Sequence, residues 1–258
     1  MYRANPTDGA AWVTGASSGI GRGVALELAR RGYKVLATAR RQAELEKLAL
    51  EAKGLAGQII PAPGDIADRQ GQETLVDRME LEHGPLALAF LNAGTYVPDP
   101  LGEFGGEGFR ETFNLNVFGT VNSLAPLVRR MGSRRKGQIA VMSSVAGYGG
   151  MPRSISYSAS KSAIIAMCEA LKFDLDKDGV TLQIVCPGFV KTPLTSLNTF
   201  EMPFLMELDE ATRRICDGFE KAGFEIAFPR RMAWSLKFLN MLPYSMYFSI
   251  LRKRTGDA

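Results

Sequence analysis

Near the start of the chain stands the stretch Ala10-Ala-Trp-Val-Thr-Gly15-Ala-Ser-Ser-Gly-Ile-Gly21. It predicts a buried strand that turns through glycines into a helix. The apolar run before Gly15 is typical of a buried strand, and residues 22–31 have the pattern of an amphipathic helix. Glycine lets the backbone approach a ligand closely, and the first turn of a helix offers free N–H groups to a pyrophosphate. The alternative is a glycine-rich turn that binds nothing. The candidate binding residues here are Gly15, Ser17, Ser18, Gly19, Ile20 and Gly21.

Apolar runs and helical patterns alternate along the rest of the chain. The further apolar runs are 34–39, 58–63, 86–92, 138–143, 181–186 and 224–228. The helical patterns lie near 42–53, 67–83, 107–131 and 157–177. Such alternation predicts an α/β fold, a doubly wound Rossmann-type sheet of about seven parallel strands with helices on both faces. Ligands are then expected at the carboxyl ends of the strands.

Composition indicates one globular domain over residues 1–258. Hydrophobic residues make up 46% of the chain and charged residues 22%, as is ordinary for a soluble protein. The net charge of +4 is small and the basic residues are scattered, which argues against a nucleic-acid partner.

Redox and metal chemistry find little support in the sequence. Cys168, Cys186 and Cys216 have neither paired nor metal-ligand spacing, and the chain has a single histidine. We therefore expect reduced thiols and no metal site. The first eight residues lack the apolar core of a signal peptide, and no apolar run reaches the roughly 20 residues of a spanning helix. These features predict a cytoplasmic protein.

A serine, a tyrosine and a lysine have the spacing of a proton-transfer site. Tyr157 follows Ser144 by 13 residues, and Lys161 follows Tyr157 by four. Positions i and i+4 share a helix face, so the ammonium can lie beside the phenol and lower its pKa from ~10. A hydroxyl such as that of Ser144 can then polarise the same substrate oxygen. This pattern predicts carbonyl–alcohol chemistry, although a single Tyr-x-x-x-Lys also arises by chance.

Together, these motifs resemble the short-chain dehydrogenase/reductase family over most of the chain. The family landmarks that recur in order are Thr14 to Gly21, Asp65-Ile66, Asn92-Ala-Gly94, Asn116-Val-Phe-Gly119, Ser144, Tyr157 with Lys161, and Pro187-Gly-Phe-Val-Lys-Thr192. One departure is Leu91, which stands where the family often has a first asparagine before Asn-Ala-Gly. That substitution puts a structural hydrogen bond in doubt, not the chemistry.

The resemblance implies a role for each catalytic candidate. Tyr157 is expected to be the acid/base and Ser144 to hydrogen-bond the substrate oxygen. Lys161 is expected to hold the nicotinamide ribose, and Asn116 to anchor a water that links Lys161 to solvent. The further cofactor contacts that the resemblance implies are Asp65, Ile66, Asn92, Ala93, Gly94, Pro187, Gly188, Val190 and Thr192.

The end of the second predicted strand bears on the choice of cofactor. A carboxylate there binds the ribose 2′-hydroxyl of NAD, whereas arginine suits a 2′-phosphate. The chain reads Ala37-Thr-Ala-Arg-Arg41, with no carboxylate. We therefore expect NADP(H) in preference to NAD(H), bound through Arg40 with help from Arg41 and Ser17. If the two arginines only begin a solvated helix, NAD(H) remains open.

A substrate lid is predicted over residues 193–223. Its apolar residues are Pro193, Leu194, Leu197, Phe200, Met202, Phe204, Leu205 and Met206. Flexible and aromatic groups of this kind suit a small apolar substrate. Packing of the segment onto the protein's own core is equally open for half of these residues.

The C-terminal tail, 229–258, combines apolar and basic residues. Arg230-Arg231 and Arg252-Lys-Arg254 flank an apolar stretch that Lys237 and Pro243 interrupt. The tail is thus not expected to span a bilayer. It fits a neighbouring subunit in a homo-oligomer (dimer or tetramer), the protein's own core, or peripheral contact with a membrane interface.

Two other function classes remain as alternatives. One is a non-catalytic dinucleotide-sensing or membrane-tethering protein, which the presence of Ser144, Tyr157 and Lys161 disfavours. The other is an NAD-dependent epimerase or dehydratase, which the lack of a larger C-terminal substrate domain disfavours. The leading hypothesis is an NADP(H)-dependent oxidoreductase that acts on a ketone, an aldehyde or an alcohol.

Overall fold

One parallel sheet organises the protein, which is described by a computed structural model over residues 2–97, 101–152, 154–197 and 202–255. The strands are β1 Ala10–Thr14, β2 Lys34–Thr38, β3 Gln58–Pro61, β4 Leu86–Leu91, β5 Gly137–Met142, β6 Val180–Pro187 and β7 Glu225–Phe228. Their order across the sheet is β3-β2-β1-β4-β5-β6-β7, and every pair is parallel. The predicted doubly wound, Rossmann-type sheet is confirmed.

Helices cover both faces of this sheet. They are α1 Gly19–Arg30, α2 Gln42–Glu51, α3 Arg69–His83, α4 Glu107–Phe113, α5 Thr120–Ser133, α6 Ile155–Lys177, α7 Leu208–Phe219, α8 Arg230–Asn240 and α9 Tyr244–Thr255. One apolar cluster joins α1, α2 and α7 to the sheet, and a second joins α3, α5 and α6 to it. Because both faces are covered, β1, β4, β5 and β6 are buried along their whole length.

The strand order reverses between β1 and β4, and this junction positions the candidate site. The Thr14 hydroxyl accepts hydrogen bonds from the backbone N–H of Asn92 at 3.0 Å and of Ala93 at 3.1 Å. The loops after the two strands are therefore held against each other. Ligands bind at such switch points in open α/β sheets.

The sequence and the structure differ most in the predicted helix 107–131. This segment forms α4 and α5, with a wider π-helical turn, Asn114–Gly119, between them. π-Helical turns are rare and often occur at functional sites. The carbonyl of Asn116 in this turn accepts a hydrogen bond from the Thr120 hydroxyl at 2.7 Å.

Part of the segment of the predicted lid packs onto the core. Helix α7 buries Ala211, Ile215 and Phe219 in the core cluster shared with α1, so this part of 193–223 packs inward. Met206 is also buried. Phe200 lies outside the described residues. Leu91, the departure from the family pattern, buries its side chain in the cluster on the other face.

We expect Thr38→Val to destabilise the fold. The Trp12 indole N–H is fully buried and donates to the Thr38 hydroxyl at 2.8 Å, and valine keeps the volume but removes the acceptor. An orphaned buried donor costs about 1–3 kcal/mol, so the free energy of unfolding in urea should fall by that amount. Thr74→Val is the control, since this exposed hydroxyl bonds only to Gln70 of its own helix. Equal losses in the two variants would contradict the role of the indole.

Candidate active site

A cavity of about 570 Å³ opens where the strands end. The structure brings most of the predicted site residues to its wall. Those that line it are Gly15, Ser17, Ser18, Gly19, Ile20, Arg40, Arg41, Asp65, Ile66, Asn92, Ala93, Gly94, Ser144, Tyr157, Lys161, Pro187, Gly188, Val190 and Thr192. Gly21 and Asn116 do not line it.

The glycine turn forms one end of the cavity. Gly15 and Gly19 have φ angles of +67° and +54°, which side chains rarely tolerate. Ser18 caps α1 without using its side chain on the helix, so the first-turn N–H groups are available to an anion. Gly21 serves packing instead, because a Cβ there would lie 2.4 Å from the carbonyl oxygen of Gly15.

Charge in the cavity is predominantly positive. Its lining contains the basic side chains of Arg40, Arg41 and Lys161 and the acidic side chain of Asp65. Arg41 donates to the Ser17 hydroxyl at 3.2 Å, which places it over the glycine turn. Arg40 is exposed and forms no ion pair within the described ranges. The wall therefore attracts an anionic ligand.

Ser144, Tyr157 and Lys161 meet at the other end of the cavity. Ser144 follows β5 and starts a short 3₁₀ turn, where its hydroxyl accepts from the Ala146 N–H at 3.1 Å. The same hydroxyl donates to the Pro187 carbonyl at 3.4 Å, and it is close enough to the Tyr157 phenol to lower the pKa of that phenol. Lys161, one turn along α6, places its Nζ 5.6 Å from the centre of the Tyr157 ring. The three groups thus surround one small volume.

Burial shifts the pKa values of this pair in opposite directions. It raises the pKa of Tyr157, an effect that the hydrogen bond from Ser144 partly offsets. Burial also lowers the pKa of Lys161 to about 8. The sequence argument expected Lys161 to lower the pKa of Tyr157, but desolvation is the larger effect in the structure. Burial consequently favours the protonated form of the phenol.

Asn116 supports the site from behind the wall. It is 1% exposed, and its side-chain amide pairs with the backbone of Thr95, accepting from the N–H at 2.7 Å and donating to the carbonyl at 3.0 Å. The same amide donates to the Ser160 hydroxyl at 3.1 Å. Asn116 thereby fixes the loop after β4 against α6. Its predicted role as a water anchor remains a prediction.

Sequence reasoning missed several lining residues. They are Thr38, Ala39, Gly64, Thr95, Leu115, Met142, Ser143 and Thr195, whereas Pro193 and Leu194, which also line the cavity, belong to the predicted lid. Most directly precede or follow a residue that was predicted, and their position at a strand end was the available signal. Thr195 folds the segment after β6 back on itself, since its hydroxyl donates to the Val190 carbonyl at 2.6 Å.

The wall fits a dinucleotide. A Cβ at Gly15 would lie 2.8 Å from the Ala93 Cα, and one at Gly94 would lie 2.7 Å from Asn116 Oδ1, so only backbone fits at these positions. The glycine turn and the nearby cations can hold phosphate, and the neutral wall of Asn92 and Ala93 leaves room for a ribose. The described residues contain no group of side chains that could hold a metal ion.

Comparison with known proteins agrees with this geometry. The model of the short chain dehydrogenase family matches residues 9–201. An uncharacterized oxidoreductase of Myxococcus xanthus is 35% identical over 94% of this chain and 96% of its own length. A 3-oxoacyl-acyl-carrier-protein reductase of Thermotoga maritima is 32% identical over 71% of this chain and 74% of its own.

Solved structures share the fold. A short-chain dehydrogenase/reductase from Burkholderia phymatum in complex with NAD superposes with a TM-score of 0.81 at 21% identity, covering 92% of this chain and 94% of that one. One from Sphingobium yanoikuyae in complex with NADPH gives 0.78 at 22% identity, covering 96% and 94%. With the family match over residues 9–201, these findings establish that the chain belongs to the short-chain dehydrogenase/reductase family of NAD(P)-dependent oxidoreductases.

Proposed function

We propose that this protein is an NADP(H)-dependent oxidoreductase that interconverts a ketone or aldehyde and the corresponding alcohol on an apolar substrate. The observation that carries the proposal is the meeting of Ser144, Tyr157 and Lys161 at one end of a cavity whose other end is a glycine turn. The likeness to a reductase that is named for a 3-oxoacyl substrate supports carbonyl chemistry.

In the reductive direction Tyr157 is the proton donor. Its raised pKa keeps the phenol protonated, and the hydroxyl of Ser144 hydrogen-bonds the same oxygen as negative charge develops there. Lys161 stabilises the phenolate that remains after proton transfer, because a nearby cation favours the charged form of a phenol. When bound, a nicotinamide dinucleotide supplies or accepts the hydride.

The proposed preference for NADP(H) rests on Arg40. The structural relatives include one bound to NAD and one bound to NADPH, so the choice depends on this chain's own residues. Arg40 follows β2, is exposed and has no ion-pair partner in the described part of the chain, which leaves its guanidinium free for a bidentate contact with a 2′-phosphate. Arg41 is already engaged with Ser17 and plays a lesser part.

Apolar side chains near the proton-transfer residues support an apolar substrate. Leu115, Met142, Pro193 and Leu194 belong to the cavity wall. Tyr96 packs edge-on against the Tyr157 ring, with their centres 5.5 Å apart. Lys161 is the charged group at this end of the cavity, and it is needed for the chemistry. A carbonyl compound without charge near its reacting carbon fits this wall.

We expect purified protein to oxidise NADPH with aldehydes and ketones of graded size, and turnover to rise with apolar bulk.

Tyr157→Phe should lower turnover by about 100-fold or more, because it removes the general acid, while NADPH binding by fluorescence stays unchanged. Tyr33→Phe is the control, since this buried hydroxyl bonds to Ala4 away from the cavity. Full turnover in Tyr157→Phe would refute the assignment. Cofactor binding without any turnover would favour the non-catalytic alternative.

Arg40→Asp should reverse the cofactor preference. The ratio of kcat/KM for NADPH to that for NADH should fall by about 100-fold, because a carboxylate repels the 2′-phosphate and accepts from a 2′-hydroxyl. Lys53→Asp makes the same change of charge at an exposed position outside the cavity. If both variants change the ratio equally, Arg40 does not recognise the phosphate.

Carbonyl reduction should weaken as the pH rises through about 8. The pKa of Lys161 is lowered to about 8, so its positive charge is present below that pH and is lost above it. The raised pKa of Tyr157 keeps the phenol protonated over the same range. Loss of the cation leaves the phenolate unstabilised, so kcat/KM for the ketone should decline on the alkaline side. A profile that stays flat to pH 10 would contradict this account.

A further inference from the structure

The C-terminal tail is a helical hairpin with one buried side. Helices α8 and α9 are separated at Pro243 and pack against each other through Leu239, Tyr247 and Leu251. The Tyr247 hydroxyl donates to the Gly150 carbonyl at 2.6 Å, and Lys237 pairs with Glu225. The hairpin is therefore fixed to the domain, and its remaining surface faces outward.

That remaining surface is strongly apolar. Six large side chains are exposed, and together we call them the tail face: Trp234 (70%), Phe238 (64%), Met241 (81%), Tyr244 (77%), Met246 (51%) and Phe248 (51%). Trp234 and Phe238 of α8 and Met241 directly after its end are spaced i, i+4 and i+7, so they form one stripe. On α9 the rings of Tyr244 and Phe248 stack with their centres 5.9 Å apart. Apolar patches of this kind on a protein surface mark interaction sites.

Basic side chains flank the tail face at both ends. Arg230 and Arg231 begin α8, Arg252 and Lys253 lie near the end of α9, and all four are exposed. Within the ranges that the structure covers, none of the four forms an ion pair. Residues 230–255 contain neither aspartate nor glutamate. Arg230 precedes Trp234 by four positions and Arg252 follows Phe248 by four, so charge and apolar groups share helix faces.

We propose that the tail face rests in the headgroup region of a membrane that contains anionic lipid. Aromatic and aliphatic side chains bind at the boundary between headgroups and acyl chains, and flanking arginines and lysines meet lipid phosphates. Among the helices of the described residues, none combines the length and apolar character needed to cross a bilayer. The hairpin would therefore lie along the surface.

A second copy of the chain fits this surface less well than anionic lipid does. A two-fold interface brings the same patch of both subunits together. The segment 230–255 of a second copy would then offer no carboxylate to the four cations Arg230, Arg231, Arg252 and Lys253, because it contains neither aspartate nor glutamate. Lipid phosphates supply that missing charge.

Contact with lipid would also lie close to the site. Tyr148, in the turn that starts at Ser144, donates its hydroxyl to Glu225 at 2.8 Å, and Lys237 of α8 lies 4.9 Å from its ring centre. The hairpin is thus anchored on the loop that carries Ser144. An apolar substrate dissolved in the membrane would reach the protein on this side.

Vesicle binding tests the proposal without any assay of turnover. The full chain should co-sediment with vesicles of phosphatidylcholine and phosphatidylglycerol, and more weakly with phosphatidylcholine alone. The chain has two tryptophans, and Trp12 is fully buried, so a blue shift of emission on binding reports Trp234. Arg230→Gln/Arg231→Gln should weaken binding to the anionic vesicles by about fivefold per lost charge.

An apolar variant with a matched control completes the test. Phe238→Gln/Phe248→Gln keeps Trp234 and should lower partitioning by about tenfold or more. Leu50→Gln/Leu81→Gln changes exposed apolar residues on α2 and α3 and should leave it unchanged. No sedimentation with anionic vesicles, or equal binding by the two double variants, would overturn the proposal. So would a lipid-independent dimer, seen by light scattering, that only the phenylalanine variant dissociates, because a second copy would then cover the tail face.

Discussion

The Thr14 hydroxyl holds the junction on which the site depends. It accepts two backbone N–H groups from the loop after β4, and so ties the ends of β1 and β4 together at the reversal of strand order. The approach is close enough that Gly15 and Gly94 have no room for a side chain. Backbone groups therefore form the wall of the cavity, where they can meet phosphate and ribose directly.

Desolvation sets the chemistry at the other end of the cavity. Removing Tyr157 and Lys161 from water disfavours the phenolate and the ammonium alike, which is why the pKa of Tyr157 rises while that of Lys161 falls. The same low-dielectric surroundings strengthen the attraction between the two charges once a proton has left the phenol. In the proposed mechanism, Lys161 would therefore favour proton transfer more than substrate binding.

Local patterns in the sequence were enough to predict the strands, the glycine turn and the place of Lys161 beside Tyr157, because period and spacing fix them. The place of Ser144 in the same group was implied by the family resemblance. Three features depend on tertiary contacts and could not be predicted. The π-helical turn exists where Asn116 pairs with Thr95. Helix α7 packs on α1 rather than over the cavity. The raised pKa of Tyr157 follows from burial, which spacing alone does not reveal.

The tail shows what structure adds to composition. Its sequence was compatible with a core, a subunit interface or a membrane surface. Packing in a core explains why Leu239, Tyr247 and Leu251 are apolar, since they are buried between the helices. It does not explain why Trp234 and Phe238 are apolar, since both are more than half exposed. A helix that is apolar on two sides requires a second apolar phase. Cations that form no ion pair among the described residues lie at both ends of the hairpin, and they favour negative charge in the same place. The anionic lipid surface that we propose would meet both requirements at once.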